Sequence, residues 1–253
     1  VVTTNRIAPT QNLDTIPFPA RDSISYAINA GNFIHICTSR GCLAHCSFCS
    51  IFAFALGASK KNRWRGRSVS NIVDEIQKIY ETHGVRHFKF VDDSFIEPPR
   101  NEMWVSRFAQ ELSKRNLSIS FRTQVRADRL TLPLVTDLKS AGWFSTSVGV
   151  ENFSTTALRR MRKEASVSDN LRAIELLQEA GVYVQMGMIL FDPHTTMEEL
   201  RENLLCLKRY DWPLTKGIFT EMFAAEGTPF AKKVRHKSHD KELPSAQNIQ
   251  YTI

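Results

Sequence analysis

The sequence predicts an α/β protein, an open, partial (β/α)6 barrel of TIM-like type with an N-terminal strap and a polar C-terminal tail. Three observations carry this reading. Short apolar stretches of strand length alternate with amphipathic stretches of helical period along most of the chain, the order that builds a parallel sheet covered by helices. The strands read as mostly apolar on both faces, as in sheets buried on two sides. Six such units exceed one doubly wound half and fall short of the eight of a closed barrel. The chain has 253 residues, 42% apolar and 23% charged, enough for one core of that size.

Taken in order, residues 1–32 form a linker or strap. They begin Val1-Val2-Thr3-Thr4, which has neither an initiator Met nor the layout of a signal peptide and reads as a cut or processed start. Pro17 and Pro19 exclude regular helix and central strand there. The barrel is expected over 33–230. Its first strand spans 33–38 and runs into a cysteine-rich loop. The stretch 60–67 is strongly basic, and Ser68 or Ser70 caps a helix of about fifteen residues with Ile72, Val73, Ile76, Ile79 and Tyr80 as its apolar stripe, closed by His83-Gly84.

A strand at 85–91 ends in Asp92-Asp93, and the helix at 103–115 presents Trp104, Phe108 and Leu112 on one face. Strand 117–125 and helix 134–140 follow, then strand 144–150 ending at Glu151 and helices at 155–161 and 168–180. Strand 182–191 closes at Asp192-Pro193. Thr196 and Glu199 make a capping box for a helix to about residue 210. A sixth strand is expected at 216–223, and residues 231–253 form a basic tail or truncated extension without clear periodicity.

Lys and Arg outnumber Asp and Glu by 33 to 26, for a formal charge of +7. That excess suits a basic surface, an acidic redox partner or an anionic ligand. No basic run is interleaved with aromatics as in single-strand binders, so nucleic acid is not the expected partner. The longest apolar run, 51–58, is far short of the roughly 20 residues a membrane helix needs. Five cysteines, three of them crowded together, do not make a secreted disulfide framework and favour a reducing cytoplasm. Cys37 and Cys206 read as core residues.

In parallel α/β folds the chemistry sits at the C-terminal ends of the strands. That rule collects Cys42, Cys46 and Cys49 after the first strand, Asp92 and Asp93 after the second, Arg126 after the third, Glu151 after the fourth, and Asp192 with His194 after the fifth. The thiols in Cys42-Leu43-Ala44-His45-Cys46-Ser47-Phe48-Cys49 can point at one inorganic centre, and thiolates are the ligands of iron–sulfur clusters. Only three are offered, so a four-iron cluster would keep one iron open to a small molecule. A zinc site with His45 as fourth ligand, or a buried stripe on a helix, has the same spacing.

The Cys42-x3-Cys46-x2-Cys49 spacing with Phe48 resembles the signature of the radical S-adenosylmethionine enzymes. The resemblance extends over about 33–230, through Phe90-Val91-Asp92-Asp93-Ser94-Phe95, Val148-Gly149-Val150-Glu151 and Glu226-Gly227-Thr228-Pro229. It implies a [4Fe-4S] cluster on the three cysteines and S-adenosylmethionine at the open iron, cleaved reductively to a 5′-deoxyadenosyl radical that abstracts hydrogen from a substrate. It further implies Phe48 against the adenine, Asp92 or Asp93 near the methionine amino group, and Glu151 at the ribose hydroxyls. Lys163 is implied at the methionine carboxylate, with Arg126 competing for that role.

The stretches Leu13 to Asp22, Thr38-Ser39-Arg40-Gly41-Cys42, Trp64-Arg65-Gly66-Arg67-Ser68 and Asp92-Asp93-x-Phe95 are similar to the subgroup with a cobalamin-binding domain before the barrel. In that subgroup residues 1–32 would follow such a domain. No Asp-x-His-x2-Gly motif is present, so cobalamin would have to be held by a domain outside this chain. The leading expectation is cobalamin-assisted methyl transfer to a small molecule, with flavodoxin or ferredoxin as reductant. The alternatives are a cobalamin-independent dehydration, rearrangement or oxidation, an RNA-modifying radical enzyme, and a noncatalytic zinc or redox module.

Overall fold

Parallel strands cannot be joined by tight turns, so each needs a crossover, and the chain supplies helices for that purpose. The computed structural model describes residues 9–54 and 63–237. Along these residues run α1 (Ile24–Asn29), β1 (Ile34–Ile36), β2 (Ser39–Gly41), α2 (Ser50–Phe54), β3 (Trp64–Gly66), α3 (Val69–His83) and β4 (His87–Phe90). There follow α4 (Glu102–Lys114), β5 (Ser120–Arg126), α5 (Leu132–Ser140), β6 (Trp143–Glu151), α6 (Thr155–Arg160), α7 (Val167–Glu179), β7 (Tyr183–Met188), α8 (Met197–Arg209), β8 (Leu214–Lys216) and α9 (Pro229–Lys237).

Six strands pair in the order β1-β4-β5-β6-β7-β8, all parallel. This is the partial TIM-like barrel. The sheet is curved: Phe33, just before β1, stacks on Phe144 of β6 with ring centroids 5.8 Å apart, although β4 and β5 lie between those strands.

The helix ends follow local chemistry. Ser68 accepts a hydrogen bond from the Asn71 N–H at the start of α3, and Gly84 ends that helix in the left-handed conformation at φ 67°. Asn101 caps α4 in the same way. Reciprocal capping boxes open α7 at Ser166 and Asp169 and α8 at Thr196 and Glu199. The core sits between the sheet and its helices. Phe90 stacks on Phe121 at 4.8 Å, and Phe108 of α4 meets both edge-on.

Four expectations are corrected. The strands are apolar on one face only: the helix-covered face carries Phe88, Phe90, Phe121, Val125, Val148 and Met186, whereas the concave face carries His35, Lys89, Arg122, Gln124, Ser147 and Gln185. The sheet is therefore covered by helices on one side. The sixth strand is β8 at Leu214–Lys216, ahead of 216–223, because Gly217 turns at φ 87° with Met188 O so close that a Cβ would lie 2.4 Å from it. Residues 64–66 belong to an antiparallel pair with β2 rather than to a free basic stretch; residues 60–62 of that stretch lie outside the described residues. The tail is helical through α9 to Lys237, and residues 238–253 lie outside the description.

The strap is tied to the helical side of β1. Asp14 Oδ1 accepts from the Ser68 N–H at 2.9 Å, Arg21 bonds Glu75 and His35 O, and Phe18 lies under the Arg67 guanidinium. Cys37 and Cys206 are half-buried, Cys206 against the main core.

Candidate active site

The cysteine loop is launched from β2, and the residues that hold β2 come from the end of β4. Asp92 accepts hydrogen bonds from the N–H groups of Thr38 at 2.7 Å and Ser39 at 3.1 Å and from the Thr38 hydroxyl. Asp93 Oδ2 accepts from the Gly41 N–H at 2.8 Å. Arg100 closes the joint: it donates to Thr38 O at 2.7 Å, Thr38 Oγ1 at 2.9 Å and Phe95 O at 2.9 Å, and lies 3.5 Å from Asp92. Its guanidinium sits among Trp104, Trp64 and Phe95 at 4.2, 5.1 and 5.2 Å from the ring centroids. Burial pulls Arg100 down to about 10, which leaves it charged at neutral pH.

Gly41 is required for steric reasons. Its φ is 92°, and a Cβ would lie 1.8 Å from Arg63 O across the β2–β3 pair. Beyond it, Cys42 Sγ donates to Glu97 Oε1 at 3.2 Å. Ser47 donates from N–H and hydroxyl to Met161 O at 2.8 and 3.0 Å and receives the Phe230 N–H at 2.9 Å. Phe48 is half-buried against the small apolar cluster of Ala157, Met161, Met222 and Phe230. The loop is thus pinned on one side by the end of β4 and on the other by α6 and α9.

Charged groups at or beyond three strand ends, those of β4, β5 and β6, surround the thiols. Cys46 is buried in the fields of Lys163, Arg126, Glu151 and Cys49; burial raises its thiol above the usual range while Lys163 and Arg126 oppose that rise. Burial and the Glu97 carboxylate push the Cys42 thiol up to about 12. Arg126 is buried, bonds Asp128 through Nε at 2.9 Å and Nη2 at 3.0 Å, and lies 4.0 Å from Glu97 and 3.7 Å from Glu164. Cys42, Cys46, Arg126, Glu151 and Lys163 therefore share one region at the C-terminal rim.

Glu151 ends β6 at a register shift with φ 66°, a left-handed conformation costly for a side chain with a Cβ. Its carboxylate bonds the Lys163 ammonium at 3.0 Å. Burial alone would lower Lys163, but Glu151 and then Cys46 lift it above its ordinary value. The pair fits because residue 149 is glycine; a Cβ there would lie 2.6 Å from Glu151 Oε1 and 2.9 Å from Lys163 Nζ. Buried Asn152, Asn170 and Asn203 hold the strained strand end: Asn170 donates to Val150 O at 3.0 Å, and Asn203 donates to Asn152 Oδ1 at 2.8 Å.

Asp192 stands apart. Its carboxylate receives Arg160 at 2.9 Å and the His194 N–H at 2.8 Å, in a network with Glu199 that joins α6 to α8. His45 has both ring nitrogens engaged, Nε2 by Arg63 at 2.6 Å and Nδ1 by Glu164 at 3.0 Å, which leaves no lone pair for a metal. Among the described residues no three His, Cys, Asp or Glu side chains converge on a single-ion site; a four-iron cluster distributes its thiolates over separate irons.

Sequence reasoning missed Glu97. It is fully buried, and its Oε2 has no hydrogen-bond donor although Arg129 Nη2 lies 3.2 Å away, off the bonding direction. A carboxylate seven residues past the end of β4, without an apolar-to-polar break of its own, gives no signal in the sequence.

These residues fit an iron–sulfur centre with a zwitterionic ligand beside it. Three thiols stand on one loop amid cationic side chains, and a buried carboxylate oxygen lacks a donor. The Radical SAM superfamily profile matches residues 36–207, and the chain belongs to that superfamily. The family's cofactors are a [4Fe-4S] cluster and S-adenosylmethionine. The chain is 27% identical over 205 residues to an uncharacterized methyltransferase of Pyrococcus horikoshii, covering 79% of this chain and 43% of that protein. It is 32% identical over 181 residues to the anaerobic magnesium-protoporphyrin IX monomethyl ester cyclase of Cereibacter sphaeroides, covering 69% of this chain and 27% of that one.

The fold matches the cobalamin-dependent S-adenosylmethionine radical enzyme OxsB, solved with aqua-cobalamin and S-adenosylmethionine, with a TM-score of 0.79 and 22% identity, over 92% of this chain and 39% of that chain. The chain thus spans less than half the length of these relatives. No helix among the described residues is long and apolar enough to cross a membrane.

Proposed function

We propose that this chain is the radical-generating barrel of an enzyme that abstracts hydrogen from a small molecule, with cobalamin-assisted methyl transfer as its outcome. The observation that carries the reading is the grouping of Cys42 and Cys46 with Glu97, Arg126, Glu151 and Lys163 at the end of a six-stranded parallel sheet. Cys42, Cys46 and Cys49 would hold the cluster. When bound, the cluster supplies the electron that cleaves S-adenosylmethionine to methionine and a 5′-deoxyadenosyl radical.

The chain's own residues bind and orient. Lys163 offers its ammonium to the methionine carboxylate, with Glu151 as the counter-ion that keeps it charged in a buried site. Glu151, held in the left-handed conformation, also accepts from ribose hydroxyls. Glu97 Oε2 is a ready acceptor for the methionine ammonium, a role expected from Asp92 or Asp93, whose carboxylates are bonded to the backbone and hydroxyl of Thr38 and to the N–H groups of Ser39 and Gly41. Asp92 and Asp93 are positioning residues in this proposal. Phe48 covers the adenine from the Met161 side, and Arg126 balances the thiolate charge. A cytoplasmic setting and a flavodoxin or ferredoxin reductant belong to the same proposal.

Support for the methyl-transfer outcome comes from the methyltransferase and cobalamin-dependent relatives, and a cobalamin-independent radical reaction other than methyl transfer is the second reading, in keeping with the cyclase among the relatives. Corrinoid analysis of the natural polypeptide that contains this chain separates them. Stoichiometric corrinoid supports the first reading. Corrinoid-free polypeptide that still forms 5′-deoxyadenosine and modified product supports the second.

A further inference from the structure

The concave face of the sheet is polar, and below the rim, where Glu151 pairs with Lys163, its charged side chains are basic. In register across three neighbouring strands stand His35 of β1, Lys89 of β4 and Arg122 of β5. Like charges on adjacent strands destabilise a sheet, and among the described residues neither Lys89 nor Arg122 has a carboxylate partner. Arg122 is nevertheless fixed. Its Nη2 donates to Ser147 Oγ of β6 at 3.2 Å and Gln185 Oε1 of β7 at 3.4 Å, and those two groups bond each other at 3.0 Å. Its Nη1 and Nε remain uncommitted among the described residues, and the side chain is half-buried. A guanidinium oriented by neutral groups, beside a lysine and without an acid, is arranged for an anion that arrives from outside.

The place suits a substrate. The stacked rings of Phe33 and Phe144 close the face below this row. Above it, four residues along β5, Arg126 marks the thiol-bearing rim, and four residues of strand span about 13 Å. We propose that this face binds the substrate of the radical reaction, and that the substrate carries a phosphate or carboxylate held by Lys89 and Arg122 with its reacting C–H toward the rim. The assignment rests on the radical reading for the reaction, but the anion site stands on its own geometry.

Calorimetric titration of the cluster-reconstituted chain with hexyl phosphate, hexanoate and hexanol tests it. One of the anions should bind at least about tenfold more tightly than hexanol, and the tighter of the two identifies the substrate's oxyanion. Arg122→Gln and Lys89→Gln should each weaken that anion about tenfold, Arg122→Lys should weaken it less, and Arg172→Gln on the exposed face of α7 should leave it unchanged. Equal binding of anions and hexanol overturns the proposal, as does a loss with Arg172→Gln equal to that with Arg122→Gln, which would mean a general charge effect. Should the Arg122 variants not fold, the wild-type comparison of anions with hexanol decides alone. Release of 5′-deoxyadenosine by the same wild-type preparation separates the two claims. An active preparation without anion preference removes the oxyanion site only, and anion preference in a preparation that cannot cleave S-adenosylmethionine removes the radical reading only.

Discussion

Lys163 Nζ lies 3.0 Å from Glu151 Oε1, and the carboxylate that neutralises it is carried by a residue in the left-handed conformation. Two costs, a buried ammonium and a strained backbone, are met at one point on the rim. A purely structural pair would be cheaper to replace with apolar side chains.

Each single substitution of this pair should therefore cost more than both together. Lys163→Met or Glu151→Gln alone leaves a buried partner unmatched, and the double variant should recover about 2 kcal/mol in a urea-denaturation cycle. Equilibrium dialysis should show S-adenosylmethionine affinity reduced at least about tenfold in Lys163→Met. An additive cycle with unchanged affinity would mean that the pair is neither coupled nor part of the cofactor seat.

Arg100 joins the end of β1 to the end of β4 inside an aromatic cage, so its loss should reach the cysteine loop. Arg100→Ala strands Asp92 in the interior and should cost about 3–5 kcal/mol by chemical denaturation. Iron bound per chain after reconstitution should fall with it. Arg100→Lys should restore part of the stability, since a lysine keeps the charge but not the planar fork that reaches Thr38 and Phe95 together.

Gly41 and Gly84 separate two costs of adding a methyl group. Both have positive φ, but only Gly41 faces a backbone atom, Arg63 O, while nothing lies within 4 Å of a Cβ at Gly84. Gly84→Ala should cost about 1–2 kcal/mol from backbone conformation alone. Gly41→Ala should cost more and reduce iron incorporation, because the β2–β3 pair must open; thermal melts and iron assays compare the two.

Acid should expose the network between α6 and α8. Arg160 beside Glu199 holds that carboxyl at about 2, below the ordinary 4.5. A depressed carboxyl stabilises the fold above its unfolded pKa, and that contribution is lost as pH falls from about 4.5 toward about 2. Glu199→Gln should be less stable at pH 7 by on the order of 3 kcal/mol at most, and should lose less than the wild type across that window, as followed by circular dichroism.

The sequence made the elements and the rim legible because both rest on local rules. Ser68, Gly84, Thr196 and Glu199 announce helix ends through backbone capping, and the strand-end rule reached Asp92, Asp93, Arg126 and Glu151 without any structure. What those carboxylates do was not legible. The resemblance implies Asp92 or Asp93 at the cofactor, and it gives no hint that their oxygens bond the backbone N–H groups of β2, a contact across more than fifty residues of chain. The three-residue strands β2 and β3 are too short for a period, and the arginines in and around β3 show in the sequence only as a basic stretch. The polar concave face was hidden because Lys89, Arg122 and Gln185 alternate with large apolar neighbours that dominated the pattern. Glu97 became visible only when the fold placed it against Cys42.

The most direct measurement is anaerobic assay of the reconstituted chain with S-adenosylmethionine and dithionite. The wild type should show a broad visible absorption that dithionite bleaches and should release 5′-deoxyadenosine, and Cys46→Ala should lose both. A wild type that takes up iron and sulfide yet forms no 5′-deoxyadenosine, or a Cys46→Ala variant as active as the wild type, would contradict the assignment.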